Sequence, residues 1–124
     1  MSNEEIRVVI ADDEPGMRMI MRKMIEKAVG FTLCGEADNG PDLLKLVEQY
    51  KPQVCFLDVE MPGKSGIEVG RSIKEKNPYA LIFIVSFTEQ YLDDAMDFQV
   101  FRYIEKASLP DRIERNLRDA LVAY

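Results

Sequence analysis

The chain has 124 residues, of which 47% are hydrophobic and 31% are charged, so it can bury the core of one folded domain. With 16 basic and 22 acidic side chains its formal charge is −6, which disfavours direct contact with the phosphate backbone of a nucleic acid. It contains no histidine, which excludes histidine-based catalytic triads and histidine metal ligands and leaves oxygen-held cations such as Mg²⁺ or Ca²⁺.

Several sequence features bear on where the protein works. No apolar run approaches the ~20 residues that a membrane-spanning helix needs. The N-terminal stretch "MSNEEIRVVI" is acidic and polar, unlike a signal peptide. Cys34 and Cys55 lie inside apolar runs, where we expect both to be buried as small hydrophobic residues. Unpaired buried cysteines favour a reducing, cytoplasmic location.

Strand-like and helix-like patterns alternate five times along the chain. In chain order they predict a strand at 6–11, a helix at 15–29, a strand at 31–37, a helix at 40–50, a strand at 54–58, a helix at 65–77, a strand at 80–86, a helix at 89–99, a strand at 101–105 and a helix at 109–124. Local signals mark some ends: Gly30 predicts a C-cap, Asn39 an N-cap, Pro78 the end of a helix and Pro110 a first helical turn.

The alternation predicts a doubly wound α/β fold, because five strand–helix repeats imply right-handed crossovers and a parallel sheet with helices on both faces. Strands 54–57 and 80–85 are apolar nearly throughout, so we place them in the centre of the sheet. The inward faces of the first and last helices are expected to consist of Met17, Ile20, Met21, Met24, Ile25, Ala28, Ile113, Leu117, Ala120 and Leu121.

Polar side chains follow four of the predicted strands, at the edge where function lies in doubly wound sheets. They are Asp12, Asp13 and Glu14 after the first strand, Asp58 at the end of the third, Ser86 at the end of the fourth with Thr88 beyond it, and Lys106 after the fifth. Taken singly, each has an ordinary explanation as a turn residue, a strand-end cap or a solvent-facing charge. Their joint occurrence at four strand ends favours a functional site.

This set of residues suits phosphoryl chemistry. Clustered carboxylates repel one another unless a cation lies among them, and Mg²⁺ is the economical cation because it binds carboxylates, carbonyls and waters. A lysine and a hydroxyl supply the charge and the donor that phosphoryl oxygens need. A carboxylate can itself be the nucleophile and form an aspartyl-phosphate. Asp58 is the best candidate, because it ends a central strand between the acidic loop and Lys106.

Four motifs carry a resemblance to a known family: "VIADDE" at 9–14, "LDVEMPGKSG" at 57–66, "IVSF" at 84–87 and "YIEKAS" at 103–108. In this order and spacing they resemble the receiver domain of two-component response regulators, over about residues 6–122. The resemblance implies a flavodoxin-like (βα)5 fold whose five-stranded parallel sheet has the strand order 2-1-3-4-5. It also implies that residues 1–124 form a single receiver domain.

The resemblance assigns a metal and a phosphoacceptor. Asp58 resembles the phosphoacceptor of the family. Asp13, Asp58 and the backbone carbonyl of Glu60 resemble the Mg²⁺ ligands, and Asp12 resembles the residue that acts through a metal-bound water.

The resemblance also implies a switch. Ser86 resembles the switch hydroxyl, Lys106 the lysine that pairs with the phosphoryl group, and Tyr103 the aromatic residue that changes rotamer. A sensor histidine kinase would donate the phosphoryl group, and the surface of helix 89–99, strand 101–105 and the last helix would then drive an output domain or a homodimer.

Within the family, segment 87–106 resembles the LytTR-type branch through Tyr91, Ala95, Phe98 and the strand from Phe101 to Ile104. That branch implies a transcription regulator whose DNA contacts are made by a separate C-terminal domain. The chain ends just after an amphipathic helix without a linker, which we interpret as an excised receiver. A stand-alone receiver is the alternative.

Two positions depart from the family pattern. Ala107 follows Lys106 where the family usually has a proline, often after a cis peptide bond, so a trans peptide and a strained cis peptide are both open. Phe87 follows Ser86 where the family usually has a small residue. A ring there could cover the phosphoryl site or pack sideways, and we expect it to slow the turnover of phosphate.

Three other functions compete with this interpretation. A nucleotide- or flavin-binding domain would need a phosphate-cradling loop after the first strand, where this chain has Asp12, Asp13 and Glu14. A carboxylate-based Mg²⁺ phosphatase would need a second acid close to the nucleophile and a cap, but Val59 and Glu60 follow Asp58 and no insertion is long enough. A receiver-like interaction module that works without phosphorylation is the third.

Overall fold

The computed structural model of the chain describes residues 5–109 and 111–123. Five strands alternate with five α-helices: β1 (Ile6–Ala11), α1 (Pro15–Lys27), β2 (Phe31–Ala37), α2 (Gly40–Tyr50), β3 (Val54–Asp58), α3 (Gly66–Lys76), β4 (Leu81–Ser86), α4 (Leu92–Asp97), β5 (Arg102–Glu105) and α5 (Asp111–Ala123). A short 3₁₀ turn, Lys106–Ser108, follows β5. The predicted alternation of strands and helices is therefore confirmed.

All five strands are parallel and form one sheet in the order β2-β1-β3-β4-β5. The predicted doubly wound, flavodoxin-like fold and its strand order are confirmed. Near the carboxyl edge, Ala11, Leu57, Ile84 and Tyr103 lie side by side in register. Because this row crosses four neighbouring strands, the residues that follow it in each strand meet at the same edge of the sheet.

Alternate residues of the inner strands supply two separate cores. In β3, Cys55 and Leu57 face the core that includes α2, α3 and α4, whereas Val54 and Phe56 face the core that includes α1 and α5. Phe56 stacks on Phe83 of β4 with ring centroids 4.4 Å apart. Burial on both faces holds β3 rigidly, so a side chain at its carboxyl end has a fixed position.

Side-chain caps fix the starts of α2 and α3. Asn39 accepts a hydrogen bond from the backbone of Asp42 at 2.9 Å, as the sequence predicts for an N-cap. Ser65 and Glu68 form a reciprocal capping box at the start of α3.

Two helices are shorter than the sequence predicts. Helix α1 ends at Lys27 with Ala28 as its C-cap, so the predicted cap at Gly30 is wrong. Gly30 instead lies in the connection between α1 and β2. Its carbonyl accepts the backbone N–H of Ile6 at 2.8 Å, and its φ is +96°. Helix α4 spans only residues 92–97, and Gln99 in the left-handed region, with φ at +62°, turns the chain toward β5.

Some predicted core positions lie at the surface. Ile20 and Leu121 are 37% and 46% exposed, because they lie at the margins of the apolar stripes of α1 and α5. Cys55 is fully buried but Cys34, on the edge strand β2, is only partly buried. The Pro110 prediction and the last residue of the predicted helix 109–124 lie outside the described residues. None of the helices in residues 5–109 and 111–123 could span a lipid bilayer.

Candidate functional site

The carboxyl edge of the sheet brings the predicted polar residues together. Asp58 is the last residue of β3, Ser86 the last of β4, and Lys106 follows the last residue of β5. Asp12 follows β1, where its backbone N–H donates to Ala37 at 3.1 Å and its Oδ1 accepts the backbone N–H of Glu14 at 2.9 Å. Sheet pairing and this turn therefore fix the backbone of the site.

Three carboxylates form a compact group. One carboxylate oxygen from each of Asp12, Asp13 and Asp58 lies within 4.8 Å of the others. Asp12 is fully buried, Asp58 is 4% exposed, and Asp13 is exposed to solvent. The group thus has a buried base and an open side, which is the access that a small ion or an anionic substrate requires.

Lys106 lies against this group and is itself buried. Its Nζ is 3.0 Å from Asp12 Oδ2, 2.8 Å from Glu14 Oε1 and 3.2 Å from Asp58 Oδ1. Burial alone lowers the pKa of Lys106, but the hydrogen bond to Glu14 and the charges of Asp12 and Asp58 raise it above its ordinary value. The lysine is therefore a permanent positive charge beside Asp58.

Burial raises the pKa of Asp58 from 3.8 to about 7, and the negative charge of Asp12 adds to the rise, while Lys106 opposes it. A carboxylate whose pKa is raised by its surroundings is more basic and gains more from a cation. The ionised form of Asp58 is therefore stabilised by the positive charge of Lys106 beside it.

The residues present fit a hard divalent cation. Asp12 Oδ2 is buried and receives no well-directed hydrogen bond among the described residues, although the charge of Lys106 is close. A buried carboxylate oxygen without a donor is costly unless a cation or a bound water satisfies it. The candidate ligand atoms of the three aspartates are all carboxylate oxygens, which Mg²⁺ prefers. Glu60 lies two residues beyond β3, on the loop beside Asp58.

Ser86 and Tyr103 both bind the backbone of the same residue. The buried Ser86 Oγ accepts the Thr88 N–H at 3.2 Å, and the Tyr103 hydroxyl donates to the Thr88 carbonyl at 2.5 Å. Tyr103 is partly buried in this arrangement. A shift of the β4–α4 loop would therefore change the environments of Ser86 and Tyr103 together.

The two unusual positions flank the lysine. Phe87 is 66% exposed, and Lys106 Nζ lies 5.0 Å from the centre of its ring. Ala107 is exposed within the 3₁₀ turn. Despite the missing proline, Lys106 reaches the carboxylates, and the Phe87 ring adds a cation–π contact at the mouth of the site.

Three contributions were not assigned by sequence reasoning. Glu14 was recognised as one of the acids but given no separate role, yet it makes the shortest contact with Lys106. The Thr88 carbonyl as partner of Tyr103 has no sequence signal, because backbone groups carry none. Gly66 packs against the Asp58 carbonyl so closely that a Cβ would lie 2.1 Å from that oxygen. Its place in the motif 57–66 is the one signal that could have found it.

A doubly wound parallel sheet with an acidic group and a buried lysine at its carboxyl edge defines the receiver class of signalling domains. The response regulator receiver domain family matches residues 8–118, and the chain belongs to that family. It is thus a receiver domain of two-component response regulators.

Several curated proteins are similar in sequence to this chain. The chain is 35% identical over 122 residues to the uncharacterized transcriptional regulatory protein YxjL of Bacillus subtilis, covering 97% of the chain and 56% of the relative. It is 34% identical to the sensory transduction protein LytT of Oceanobacillus iheyensis, covering 89% and 46%, respectively. It is 31% identical to a protein-glutamate methylesterase/protein-glutamine glutaminase of Pyrococcus abyssi, covering 99% and 34%. The chain therefore spans about a third to just over half of these relatives.

Solved structures give the same result. A DNA-binding response regulator of the LuxR family from Staphylococcus aureus matches with a TM-score of 0.86 and 30% identity, over 93% of this chain and 98% of that chain. The response regulator domain of Thermotoga maritima CheB matches with a TM-score of 0.84 and 25% identity, over 97% and 96%. Relatives with different outputs thus share this one domain.

Proposed function

We propose that the chain is a phosphorylation switch in which Asp58 accepts a phosphoryl group from the phosphohistidine of a sensor histidine kinase. The observation that carries this proposal is the position of Asp58, which lies between a buried lysine and two further carboxylates. Family membership supports it. We propose residues 1–124 as a single receiver domain.

The chemistry requires an in-line attack and charge neutralisation. An oxygen of Asp58 forms the new bond to phosphorus as the bond from phosphorus to the histidine nitrogen breaks, and the histidine leaves as neutral imidazole after taking up a proton. Mg²⁺ held by Asp13, Asp58 and the Glu60 carbonyl, with Asp12 acting through water, would supply positive charge to the phosphoryl oxygens.

Lys106 and Ser86 have complementary roles in this proposal. The lysine supplies a fixed positive charge to one phosphoryl oxygen, and the Ser86 hydroxyl donates a hydrogen bond to another. The same hydroxyl continues to accept the Thr88 N–H, so a turn of Ser86 toward the phosphoryl group draws the β4–α4 loop toward Asp58.

The signal then passes to the surface of α4, β5 and α5. The Tyr103 hydroxyl donates a hydrogen bond to the Thr88 carbonyl. Movement of the β4–α4 loop, which contains Thr88, therefore changes the rotamer preference of the tyrosine. This surface would form a homodimer or contact an output domain, as a two-state element biased by one charged modification.

We further propose a transcriptional output through a separate C-terminal DNA-binding domain, of the LytTR type suggested by segment 87–106. The printed names of the Bacillus and Oceanobacillus relatives, a transcriptional regulatory protein and LytT, support this choice. Reading the coding sequence beyond Tyr124 tests it: a basic, strand-rich continuation is expected, and a methylesterase domain or a stop codon contradicts it.

Labelling with a small phosphodonor tests the central proposal. Incubation with phosphoramidate and Mg²⁺ is expected to add one phosphoryl group to the wild type and none to Asp58→Asn, since the amide cannot attack phosphorus. Intact mass spectrometry and an added chelator provide the readout and the metal control. Asp38→Asn, an exposed acid beyond β2, is the matched control and should be labelled as the wild type is. Labelling that persists in Asp58→Asn, or never occurs, would favour a phosphorylation-independent interaction module.

The exposed ring of Phe87 gives a second prediction. Phe87→Ala is expected to speed loss of the phosphoryl group by about two- to fivefold, because water reaches the mouth of the site more easily once the ring is gone. The decay of labelled protein in Mg²⁺ after removal of the donor measures the rate. Tyr79→Ala removes a still more exposed ring from another part of the surface and serves as control. Equal decay rates in Phe87→Ala and wild type would remove the idea.

A further inference from the structure

Glu14 makes an ion pair that the proposed function does not use. Its Oε1 lies 2.8 Å from Lys106 Nζ, closer than the oxygens of Asp12 at 3.0 Å or Asp58 at 3.2 Å. An ammonium group has three N–H donors. Of the contacts around Lys106, the hydrogen bond to Glu14 is well directed, whereas Asp12 Oδ2 receives none. A phosphoryl group on Asp58 brings further negatively charged oxygens to the same ammonium, so it competes with the carboxylates that already surround it.

The three contacts differ in how easily they can be given up. The Asp12 side chain is 0% exposed, so it would lose its partner in a dry environment. Asp58, 6% exposed, loses its own negative charge when it is phosphorylated, and the phosphoryl oxygens replace its contact with Lys106. The Glu14 side chain is 51% exposed and can turn into water, which replaces the lost hydrogen bond. Glu14 is therefore the least costly contact to release.

The backbone of Glu14 is held by hydrogen bonds, while its side chain is half exposed to water. The Glu14 N–H donates to Asp12 Oδ1 at 2.9 Å, and its carbonyl accepts the Arg18 N–H at 3.1 Å in the first turn of α1. The centre of the Phe87 ring lies 5.0 Å from Lys106 Nζ. The exchange thus needs only a rotation of the Glu14 side chain, with Lys106 remaining in place.

We propose that Glu14 is a positioning residue that acts as a displaceable counter-ion of Lys106. In the resting protein its carboxylate binds the ammonium and holds it beside Asp58. On phosphorylation a phosphoryl oxygen takes its place, and Glu14 turns into solvent. The inference rests on the proposed function, because it assumes that a phosphoryl group on Asp58 contacts Lys106. Glu14 therefore favours the resting state, and its removal favours the phosphorylated one.

Binding of the phosphoryl mimic BeF₃⁻ measures this competition at equilibrium. With Mg²⁺ at a saturating concentration, established for each variant separately, Glu14→Gln is expected to bind BeF₃⁻ about two- to fivefold more tightly than the wild type, the range of a half-exposed ion pair. Glu26→Gln, which removes an exposed acid on α1, the helix that Glu14 precedes, is the matched control and should bind BeF₃⁻ as the wild type does.

Two readouts separate this role from general charge repulsion. In a Lys106→Met background, Glu14→Gln is expected to leave the affinity for BeF₃⁻ unchanged. The reason is that Glu14 and BeF₃⁻ no longer compete for the lysine. In the wild type, the ¹³C resonance of the Glu14 side-chain carboxyl is expected to shift on BeF₃⁻ binding while that of Glu26 does not. The second readout does not depend on the folding of the Lys106 variant.

The outcomes are distinguishable. The role of Glu14 is overturned if the wild type and Glu14→Gln bind BeF₃⁻ equally well. It is also overturned if the Glu14 carboxyl resonance does not shift on binding. Either result leaves the proposed function standing. A Glu14→Gln effect that persists without Lys106 also overturns it, in favour of simple repulsion. Wild type that binds no BeF₃⁻ and takes no phosphoryl group contradicts the proposed function and this inference together.

Discussion

Replacing Lys106 with methionine is expected to lower the free energy of unfolding by about 3 kcal/mol at pH 8 without divalent cations, because it leaves buried carboxylates without their counter-charge. Asp12 is fully buried and Asp58 nearly so, and both lie within 3.2 Å of the ammonium. Methionine keeps the apolar stem, so the loss reports the charge. Urea denaturation in the presence of a chelator measures it.

Two variants control this prediction. Lys23→Met removes an exposed lysine on α1 and should change stability by less than about 0.5 kcal/mol. Adding Asp58→Asn to Lys106→Met should restore part of the lost stability, because one buried carboxylate has been neutralised. Saturating Mg²⁺ should narrow the gap to the wild type by supplying positive charge. A Lys106→Met variant as stable as the wild type would mean that the carboxylates are not ionised together.

The fold could be predicted from the sequence because its signals are local and consistent. Apolar runs of strand length alternate with helical spacing, and Asn39 and Ser65 cap the helices that follow them. The predicted end of a helix is wrong where tertiary contacts determine it. Residues 28 and 29 were included in the first helix by their composition, with Gly30 as its cap, but the hydrogen bond from the Ile6 N–H to the Gly30 carbonyl draws this segment into the connection to β2.

The site could be predicted as a set of residues but not as a set of contacts. The parallel sheet dictates that Asp12, Asp58 and Lys106 lie at one edge, because strand ends in register must meet there. Which carboxylate binds the lysine depends on side-chain reach and burial, which no spacing rule contains. That is why Glu14 remained without a role until its distance to Lys106 was known.

The departures at Phe87 and Ala107 illustrate the same limit. The sequence shows that the family's usual proline and small residue are missing, which left the direction of the lysine open. In the structure Lys106 lies 3.2 Å from Asp58 and is flanked by Glu14 and the Phe87 ring. Contacts with Asp12, Asp58 and Glu14 hold the ammonium, so Lys106 reaches the carboxylates with alanine at position 107.

Gly66→Ala is expected to cost about 3 kcal/mol or more in the free energy of unfolding, and to disturb the phosphoacceptor at the same time. A Cβ at this first position of α3 would lie 2.1 Å from the Asp58 carbonyl oxygen and 2.8 Å from the carbonyl carbon. These are backbone atoms of a strand buried on both faces, so they cannot move aside as a flexible side chain would. The bond from the Gly66 N–H to the Val59 carbonyl, at 2.8 Å, holds the two segments together and prevents α3 from withdrawing.

Gly16→Ala is the matched control, because a Cβ at Gly16, in the first turn of α1, meets nothing within 4 Å. Alanine is the better helix former, so this variant should be as stable as the wild type or up to about 1 kcal/mol more stable. Denaturation by urea compares the two variants, and phosphoramidate labelling of the folded fraction reports the site. If Gly66→Ala were as stable and as readily labelled as Gly16→Ala, the loop after β3 would have to be free to move away from α3. The phosphoacceptor would then not be held by the close contact of Gly66 with Asp58, and the rigidity of β3 alone would have to position it.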